Sequence, residues 1–317
     1  MPLKIAFQMD PIDAVDIDAD TSFDMALEAF SRQHDVWVYQ PEALQLHSSD
    51  DRVLARAQKI NRLERKAGDH VSLGDPQILN LREIDVVLVR QDPPFDMAYI
   101  TAAQILERLT PDVLVMNDPK GIRDAPEKLL VTEFSDLTPP TLITRDQAAI
   151  NAFRTEHRDI IMKPLYGNGG AGVFLVKQND TNFNALLEMF IETSREPIII
   201  QKFIASVSDG DKRIILLDGE AVGAINRVPA KGETRSNMHV GGRAEAIEMS
   251  ERDQDICDRI GPTLSERGLV FAGIDVIGDY LTEINVTSPT GVQEIRKFGG
   301  ADISALMWDW IEGQLEP

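Results

Sequence analysis

Four glycines lie within six residues of KPLYGNGGAGVF, the stretch from Lys163 to Phe174. Their spacing matches G-x-G-x-x-G, a phosphate-binding pattern that requires a helix directly after the glycines. Here the glycines are followed by Val-Phe-Leu-Val, which predicts a strand. A glycine loop between two strands predicts a flap whose backbone N–H groups fold over a nucleotide phosphate. Lys163 lies on the strand that enters the flap, where it could reach a phosphate as well.

Other interpretations fit this stretch less well. A Walker A loop is excluded because no Gly-Lys-Ser/Thr follows the glycines. A protein-kinase loop has a similar geometry, but the sequence continues without the His-Arg-Asp and Asp-Phe-Gly motifs. The strand after the loop also disfavours a nicotinamide oxidoreductase. A flexible hairpin tip accounts for one or two glycines more readily than for four.

A second candidate site lies in GIDVIGDYLTEINV, residues 273–286. Asp275, Glu283 and Asn285 are hard oxygen donors of the kind that Mg²⁺ prefers, with phosphates and water completing its coordination. Glu283 and Asn285 share a face because side chains alternate along a strand. Asp275 joins that face only if it pairs with Glu283, which requires a three-residue loop (278–280) or an equivalent bulge. The alternative is the exposed polar face of an edge hairpin, which the neighbouring Val and Ile residues disfavour.

The overall charge sets a condition on any phosphate site. The chain has 32 Lys and Arg against 52 Asp and Glu, a formal net charge of −20. Such a field repels nucleic acid and anionic membranes, so neither is expected as a partner. It repels phosphates too, so a site for them needs a local cluster of Lys, Arg or metal.

The cations that could form this cluster are spread along the chain. Lys128 falls in the first turn of a predicted helix, where a positive charge opposes the helix dipole unless a phosphate lies nearby. Arg213, Arg227, Arg235 and Arg243 follow. Segment 228–243 has almost no apolar content, and a loop of this length inside a compact domain is usually functional or disordered. We predict that it is a mobile lid over the active site, with a plain surface loop as the alternative.

The elements that carry these residues are of two kinds. The first third of the chain alternates strand and helix patterns, with strands at 3–9, 35–41 and 84–90, which predicts a parallel α/β sheet. Ligands of such sheets lie beyond the carboxyl ends of the strands, where Asp10 and Arg90 are found.

The remainder, with hairpins between helices, predicts an α+β part. We expect a helix with Asp124 as N-cap and Pro126 in its first turn, a type I′ turn at Asp218-Gly219, and a helix from Ser250 to Gly268. The sequence shows neither a signal-peptide pattern nor an apolar stretch long enough to span a membrane, and its one cysteine, Cys257, fits a reducing cytoplasm.

Together, the flap, its preceding lysine, the Asp…Glu-x-Asn hairpin and the arginine-bearing segment resemble an ATP-grasp ligase, and more narrowly the bacterial glutathione synthetases. The matching stretches run in order along nearly the whole chain: MDPI, RQDPPFD, RDAPEKL, FSDLTPPTL, KPLYGNGGAGVF, DGDKR, GETRSN and GLVFAGIDVIGDYLTEINVTSPTG. Tyr166 and Ser236 depart from some relatives, which have Asp and Gly there.

The resemblance implies an α/β and α+β fold with a Rossmann-like N-terminal substrate domain (1–120), an ATP-grasp lid subdomain (121–202) and a C-terminal ATP-grasp subdomain (203–317). It implies a cytoplasmic homotetramer that uses ATP and Mg²⁺ or Mn²⁺ to join γ-L-glutamyl-L-cysteine to glycine through an acyl phosphate, giving glutathione, ADP and phosphate. Two alternatives remain open: another ATP-grasp carboxylate–amine ligase, of the D-alanine–D-alanine or glutamate-adding type, and a nucleotide-binding module without catalysis.

The resemblance also implies individual roles. The residues expected to contact ATP are Lys128, Lys163, Gly167, Asn168, Gly169, Gly170, Ala171, Gly172 and, in a hinge that holds adenine, Gln201, Lys202, Phe203 and Ile204. Asp275, Glu283 and Asn285 would hold the metal. Arg213 and Arg227 would stabilise the oxyanion, and Arg235 would close the site. Asp10, Arg90, Arg243, Ser288 and Pro289 are expected to bind the substrates.

Overall fold

The computed structural model describes residues 2–233, 235–236 and 241–315. The strands of its N-terminal part are β1 (Lys4–Gln8), β2 (Asp35–Tyr39), β3 (Leu44–His47), β4 (Arg52–Leu63), β5 (Val71–Leu73), β6 (Gln77–Asn80), β7 (Val86–Val89) and β8 (Leu114–Met116). The helices are α1 (Thr21–Ser31), α2 (Met97–Leu106), α3 (Pro119–Arg123) and α4 (Glu127–Leu130). Strands β2, β1, β7 and β8 lie side by side and parallel, which confirms the predicted parallel sheet.

The sheet has an antiparallel half that the sequence analysis missed. Strand β4 pairs antiparallel with β2, β3, β5 and β6. It buries Val53, Ala55 and Ala57 but exposes Arg52 and Arg56. Its charged residues interrupt the apolar pattern, so the stretch lacks the continuous apolar run that marks the parallel strands.

Residues 119–130 form two short helices instead of one. The carboxylate of Asp118 caps α3 by accepting the Gly121 N–H at 2.8 Å. The prediction for this region is therefore wrong: Asp124 is the C-cap of α3, and Pro126 is the N-cap of α4. Proline has no N–H to continue the hydrogen bonding of α3, so this helix ends before Pro126. Lys128 nevertheless falls in a first helical turn, as expected.

The middle of the chain builds a sheet of its own. Its elements are β9 (Thr141–Thr144), α5 (Gln147–His157), β10 (Ile160–Pro164), β11 (Phe174–Val176), α6 (Phe183–Thr193) and β12 (Ile198–Lys202). The strands are ordered β11-β10-β12-β9 and all neighbours are antiparallel. The glycine loop connects β10 to β11, which confirms that it has a strand on both sides.

The last part of the chain forms a third sheet, ordered β15-β14-β13-β16-β17. Its elements are β13 (Asp211–Leu217), β14 (Glu220–Val228), β15 (Arg243–Ala246), α7 (Glu251–Glu266), β16 (Phe271–Ile277), β17 (Tyr280–Asn285), α8 (Val292–Lys297) and α9 (Ile303–Leu315). Asp218 and Gly219 have φ of 48° and 83°, the two positive values that a type I′ turn requires, so that prediction is confirmed. Helix α7 is capped by Ser250 and ends before Gly268, also as predicted.

The cores show which parts of the chain pack together. Two buried clusters each combine residues of the first and last parts, as where the rings of Phe7 and Trp308 lie 6.4 Å apart. The middle sheet packs around a separate cluster that includes Ile160, Met162 and Ile200. The two ends of the chain thus build one body together, and the middle sheet forms a second packed unit beside it.

In the part of the chain that the structure describes, every helix is too short or too polar to cross a bilayer.

Candidate active site

A cavity lies between the glycine flap, the end of β12 and the β16–β17 hairpin. Most residues singled out from the sequence line it: Lys128, Lys163, Gly167, Asn168, Gly169, Gly170, Ala171, Gln201, Lys202, Phe203, Ile204, Arg213, Arg227, Arg235, Asp275, Glu283, Asn285, Ser288 and Pro289. These residues come from helix α4, from the middle and last sheets, and from the loops that follow their strands. The fold therefore brings together groups that are up to 161 positions apart, from Lys128 to Pro289.

Four predicted site residues lie outside the cavity lining. Gly172 follows Ala171, the last of the flap residues that line the cavity before Val173. Arg90 is buried, donating to Ser22 Oγ at 3.1 Å and to the Pro289 carbonyl at 3.0 Å. Asp10 is exposed and accepts the backbone N–H of Asp92 at 2.9 Å. Arg243 is exposed at the start of β15, where it pairs with Glu245.

Two buried lysines meet one carboxylate beneath the flap. Lys163 Nζ lies 3.3 Å and Lys128 Nζ 3.6 Å from Glu283 Oε1, and Lys128 also donates to the Gly167 carbonyl. Burial on its own raises the pKa of Glu283, but the two ammonium groups outweigh it and hold the pKa below its usual value. The arrangement links the flap to the acidic hairpin and gathers the local positive charge that phosphate binding requires.

The hairpin reaches the predicted register through a bulge. Its two-residue turn pairs Ile277 with Tyr280, a register that by itself would place Asp275 and Glu283 on opposite faces. A register shift between Asp275 and Val276 restores the pairing of Asp275 with Glu283. The prediction of an odd loop or an equivalent bulge is confirmed, because the bulge places Asp275 and Glu283 opposite each other.

Asp275 is buried between two arginines. Arg213 donates to both of its carboxylate oxygens, at 2.6 and 3.2 Å, and Arg227 lies 3.0 Å from Oδ1. Burial opposes ionisation, but the two guanidinium groups hold the pKa of Asp275 well below its usual value. Asp275 is therefore ionised at neutral pH.

The donor set suits a magnesium ion that is shared with a nucleotide. Asn285 donates its amide N–H to the Gly273 carbonyl at 3.0 Å, which fixes its orientation beside the two ionised carboxylates. The described residues contain no cluster of three or more His, Cys, Asp and Glu side chains placed to bind a metal by themselves. Mg²⁺ is usually held by one or two carboxylates, with substrate phosphates and water supplying the other ligands. Two carboxylates and one amide fit that pattern.

A buried aspartate that the sequence analysis overlooked extends this network. Asp211 accepts from Arg227 at 2.7 Å and from the Ser236 hydroxyl at 2.5 Å. Burial raises its pKa to about 6, although Arg227 acts in the opposite direction. Asp211 and Arg213 alternate onto the same face of β13, so strand periodicity next to a predicted arginine was the signal available for it.

The predicted lid is described only in part. Residues 234 and 237–240 of segment 228–243 lie outside the described residues. Arg235 lines the cavity and pairs with Glu233 at 2.7 Å, and Ser236 is buried against Asp211. The described portion of the segment thus covers one side of the cavity, and Ser236 makes one of its contacts.

We expect Gly169→Ala to weaken ATP binding selectively. Gly169 has a φ of +61°, and a Cβ there would meet no heavy atom within 4 Å, so the cost is backbone strain of about 1–2 kcal/mol. If flap closure over ATP needs this conformation, the KM for ATP rises by about 5–30-fold. Gly68→Ala is the matched control, because Gly68 has a φ of +76° and equally open space but lies away from the cavity. Equal KM values in the two variants, measured by initial rates, would contradict the role of the flap.

Two family models match the chain over most of its length. The prokaryotic glutathione synthetase N-terminal domain matches residues 3–123, and the prokaryotic glutathione synthetase ATP-grasp domain matches residues 127–300. Among solved structures, D-cycloserine synthetase DcsG superposes with a TM-score of 0.69 at 13% identity, covering 98% of this chain and 100% of that one. The ATP-grasp ligase PsnB, in a complex with Mg and ADP, gives 0.62 at 16% identity over the full length of both chains. These likenesses confirm the predicted combination of an N-terminal domain and an ATP-grasp fold.

Curated relatives extend over the same length. The chain is 58% identical over 314 residues to a glutathione synthetase from Mesorhizobium japonicum, covering 99% of each chain. It is 55% identical to one from Agrobacterium fabrum, covering 98% of this chain and 96% of that one, and 42% identical to one from Salmonella typhi, covering 99% of each. The resemblance seen in the motifs is thus confirmed from end to end, and the chain belongs to the prokaryotic glutathione synthetase family.

Proposed function

We propose that this protein uses ATP to join γ-L-glutamyl-L-cysteine to glycine, releasing glutathione, ADP and phosphate. Membership of the family and the names of its full-length relatives support this function. One structural observation carries the proposal. Lys128 and Lys163 meet Glu283 beneath the flap, and Asp275 lines the same cavity. This is a place where a triphosphate end and a divalent cation can be held together.

The chemistry follows from the poor reactivity of a carboxylate. The carboxylate of γ-glutamylcysteine attacks the γ-phosphorus of ATP, whose bond to the bridging oxygen breaks so that ADP leaves. The resulting acyl phosphate is reactive toward an amine. Lys128, Lys163 and the flap N–H groups would spread the charge that develops on the phosphoryl oxygens. Asp275, Glu283 and Asn285 would hold Mg²⁺ or Mn²⁺, which when bound would supply positive charge to neutralise those oxygens. The chain itself supplies binding, orientation and fixed charge.

The second step needs cations at the acyl carbon. Attack by the amine of glycine creates an oxyanion, and Arg213 and Arg227 lie along the cavity where they can stabilise it. Both guanidinium groups are held rigidly by Asp275 and Asp211, which keeps them oriented before the reaction. Arg235 would close the site from segment 228–243 and exclude water, which would otherwise hydrolyse the acyl phosphate.

Several residues predicted to bind substrate would instead hold other residues of the cavity wall in place. The Ser288 hydroxyl donates to Asp92 at 2.5 Å, and Asp10 holds the backbone of Asp92. Arg90 holds the carbonyl of Pro289. Asp10 and Arg90 would therefore position the cavity wall on which γ-glutamylcysteine rests. Arg243 would anchor the far end of segment 228–243.

The assay that tests the function measures ADP release with pairs of substrates. We expect ATP turnover with γ-glutamylcysteine plus glycine, together with formation of the tripeptide. Two other substrate pairs represent the rival ATP-grasp ligases: D-alanine with a second D-alanine, and glutamate with a carboxylic acid to which it would be added. Neither pair should give ATP turnover. Turnover with one of those pairs alone would assign the chain to a rival ligase. ATP binding without turnover of any pair would favour the noncatalytic module.

The assembly and the location of the enzyme belong to the same proposal. We infer a homotetramer in the cytoplasm from the family resemblance, and the buried, unpaired thiol of Cys257 suits a reducing compartment. Sedimentation equilibrium of the purified protein at several concentrations tests the tetramer, because a monomeric or dimeric mass would exclude it.

A further inference from the structure

Glu127 is a carboxylate in the cavity wall to which the proposed two-step ligation assigns no role. It is the first residue of α4 and lines the cavity with its side chain half-buried. Thr287 donates its hydroxyl to Glu127 Oε1 at 2.8 Å and so fixes the orientation of the carboxylate. Within the described ranges, no Lys, Arg or His nitrogen lies within 4.0 Å of it. Its neighbour Lys128 points instead to Glu283 and the flap.

The other acidic residues of the cavity have partners or lie in solvent. Asp275 is held by two arginines, and Glu283 is held by two lysines. Asp211 is paired with Arg227, and Asp92 is exposed and accepts from Ser288. Among the described residues, Glu127 is thus a half-buried acid that is held in one orientation but has no ion-pair partner within 4.0 Å. A carboxylate in this state invites a cationic or proton-donating group of a substrate.

The proposed reaction provides such a group. ATP, the phosphoryl intermediate and the substrate carboxylates are anions and would be repelled by Glu127. Glycine binds as an ammonium ion, and it must lose a proton before its nitrogen can attack. Resting on the proposed function, we propose that Glu127 is the general base that accepts this proton, with Thr287 as its positioning residue.

The proton and electron balance of the step is complete. Glu127 takes one proton from the ammonium group, and the freed nitrogen lone pair attacks the acyl carbon. The C–N bond forms while the carbonyl electrons move to oxygen, and their return breaks the bond to the phosphate. The second proton on nitrogen passes to the departing phosphate, which leaves as hydrogen phosphate. Glu127 then returns its proton to solvent.

The surroundings of Glu127 suit a base. Burial raises the pKa of its carboxyl above the usual value, and the charge of Glu283 acts in the same direction. Lys128 and Arg213 act in the opposite direction, and the Tyr99 phenol also lies near. A raised pKa makes a carboxylate a stronger base, which favours proton transfer.

The test separates the two halves of the reaction by changing the nucleophile. Hydroxylamine is largely uncharged at neutral pH, so it can attack an acyl phosphate without a base and give a hydroxamate. In Glu127→Gln we expect glutathione formation to fall by about 10²–10⁴-fold, while hydroxamate formation from ATP and γ-glutamylcysteine stays within a few-fold of the wild-type rate. Thr287→Val should show a smaller loss that is also confined to glycine. Glu127→Asp, which keeps the charge, should recover part of the glycine rate.

Each other outcome overturns the proposal. An unchanged glycine rate in Glu127→Gln excludes a general base at this position. An equal loss with glycine and hydroxylamine, in a variant whose melting temperature is unchanged, assigns Glu127 to γ-glutamylcysteine binding or acyl phosphate formation instead. Failure of the proposed function itself is distinguishable, because the wild-type protein would then form no hydroxamate from γ-glutamylcysteine. The surface variant Glu133→Gln, which alters only an ion pair with Arg267, is the control for handling.

Discussion

Replacing Glu283 by glutamine is expected to lower kcat by about 10²–10³-fold, the range found when one preorganised electrostatic group is removed from a transition state. Glutamine keeps the size and one oxygen of the side chain but removes the charge that faces Lys128 and Lys163. It also removes one of two carboxylates from the proposed metal site. We expect the KM for ATP to rise and half-maximal activity to require more Mg²⁺. Initial rates over a matrix of ATP and Mg²⁺ concentrations provide all three quantities.

The Mg²⁺ dependence is the decisive part of this measurement. A loss of kcat with an unchanged Mg²⁺ requirement would mean that Glu283 acts only by positioning the two lysines. Unchanged turnover would contradict both roles. Glu133→Gln is again a suitable control because its carboxylate pairs with Arg267 at the surface, away from the cavity.

The β16–β17 hairpin, which carries the proposed metal ligands, shows how much of the site the sequence alone can predict. The residue types and their alternation identified Asp275, Glu283 and Asn285, since a strand places every second side chain on one face. They could not decide between a longer loop and a bulge, because both bring Asp275 opposite Glu283. The two-residue turn with a bulge depends on how the whole hairpin packs, and that information is not local.

Arg90 shows where sequence reasoning stops. Its position after a buried strand predicts that it lies at the carboxyl end of that strand, and it does follow β7 directly. Its guanidinium is nevertheless buried against Ser22 and against Pro289, which is 199 residues away in the sequence. Contacts over such separations follow from packing between the two ends of the chain. Glu127 was overlooked for a different reason, because its neighbour Lys128 accounted for the motif by itself.

The second large effect concerns stability. Arg227 is buried and contacts two buried carboxylates, Asp211 at 2.7 Å and Asp275 at 3.0 Å. Removing one partner of a buried ion pair leaves an uncompensated charge and costs about 3–5 kcal/mol. We therefore expect Arg227→Met, which retains an apolar side chain of similar length, to lower the free energy of unfolding by that amount at pH 8. Urea unfolding followed by circular dichroism measures it.

The pH dependence of that loss identifies its cause. The folded-state pKa of Asp211 is raised by burial to about 6, from a usual value of 3.8. Its protonation therefore favours folding at low pH, and this contribution is lost as the pH rises through 6. Without Arg227, which lowers this pKa, the folded-state value rises further, so the deficit of the variant should shrink between pH 8 and pH 5.5. Adding Asp211→Asn to Arg227→Met should recover part of the stability at pH 8 and remove most of the pH dependence. If Arg227→Met loses the same free energy of unfolding at both pH values, Arg227 stabilises the fold by packing. The ion pair between Arg213 and Asp275 would then be the only part of this network that stabilises the fold through charge.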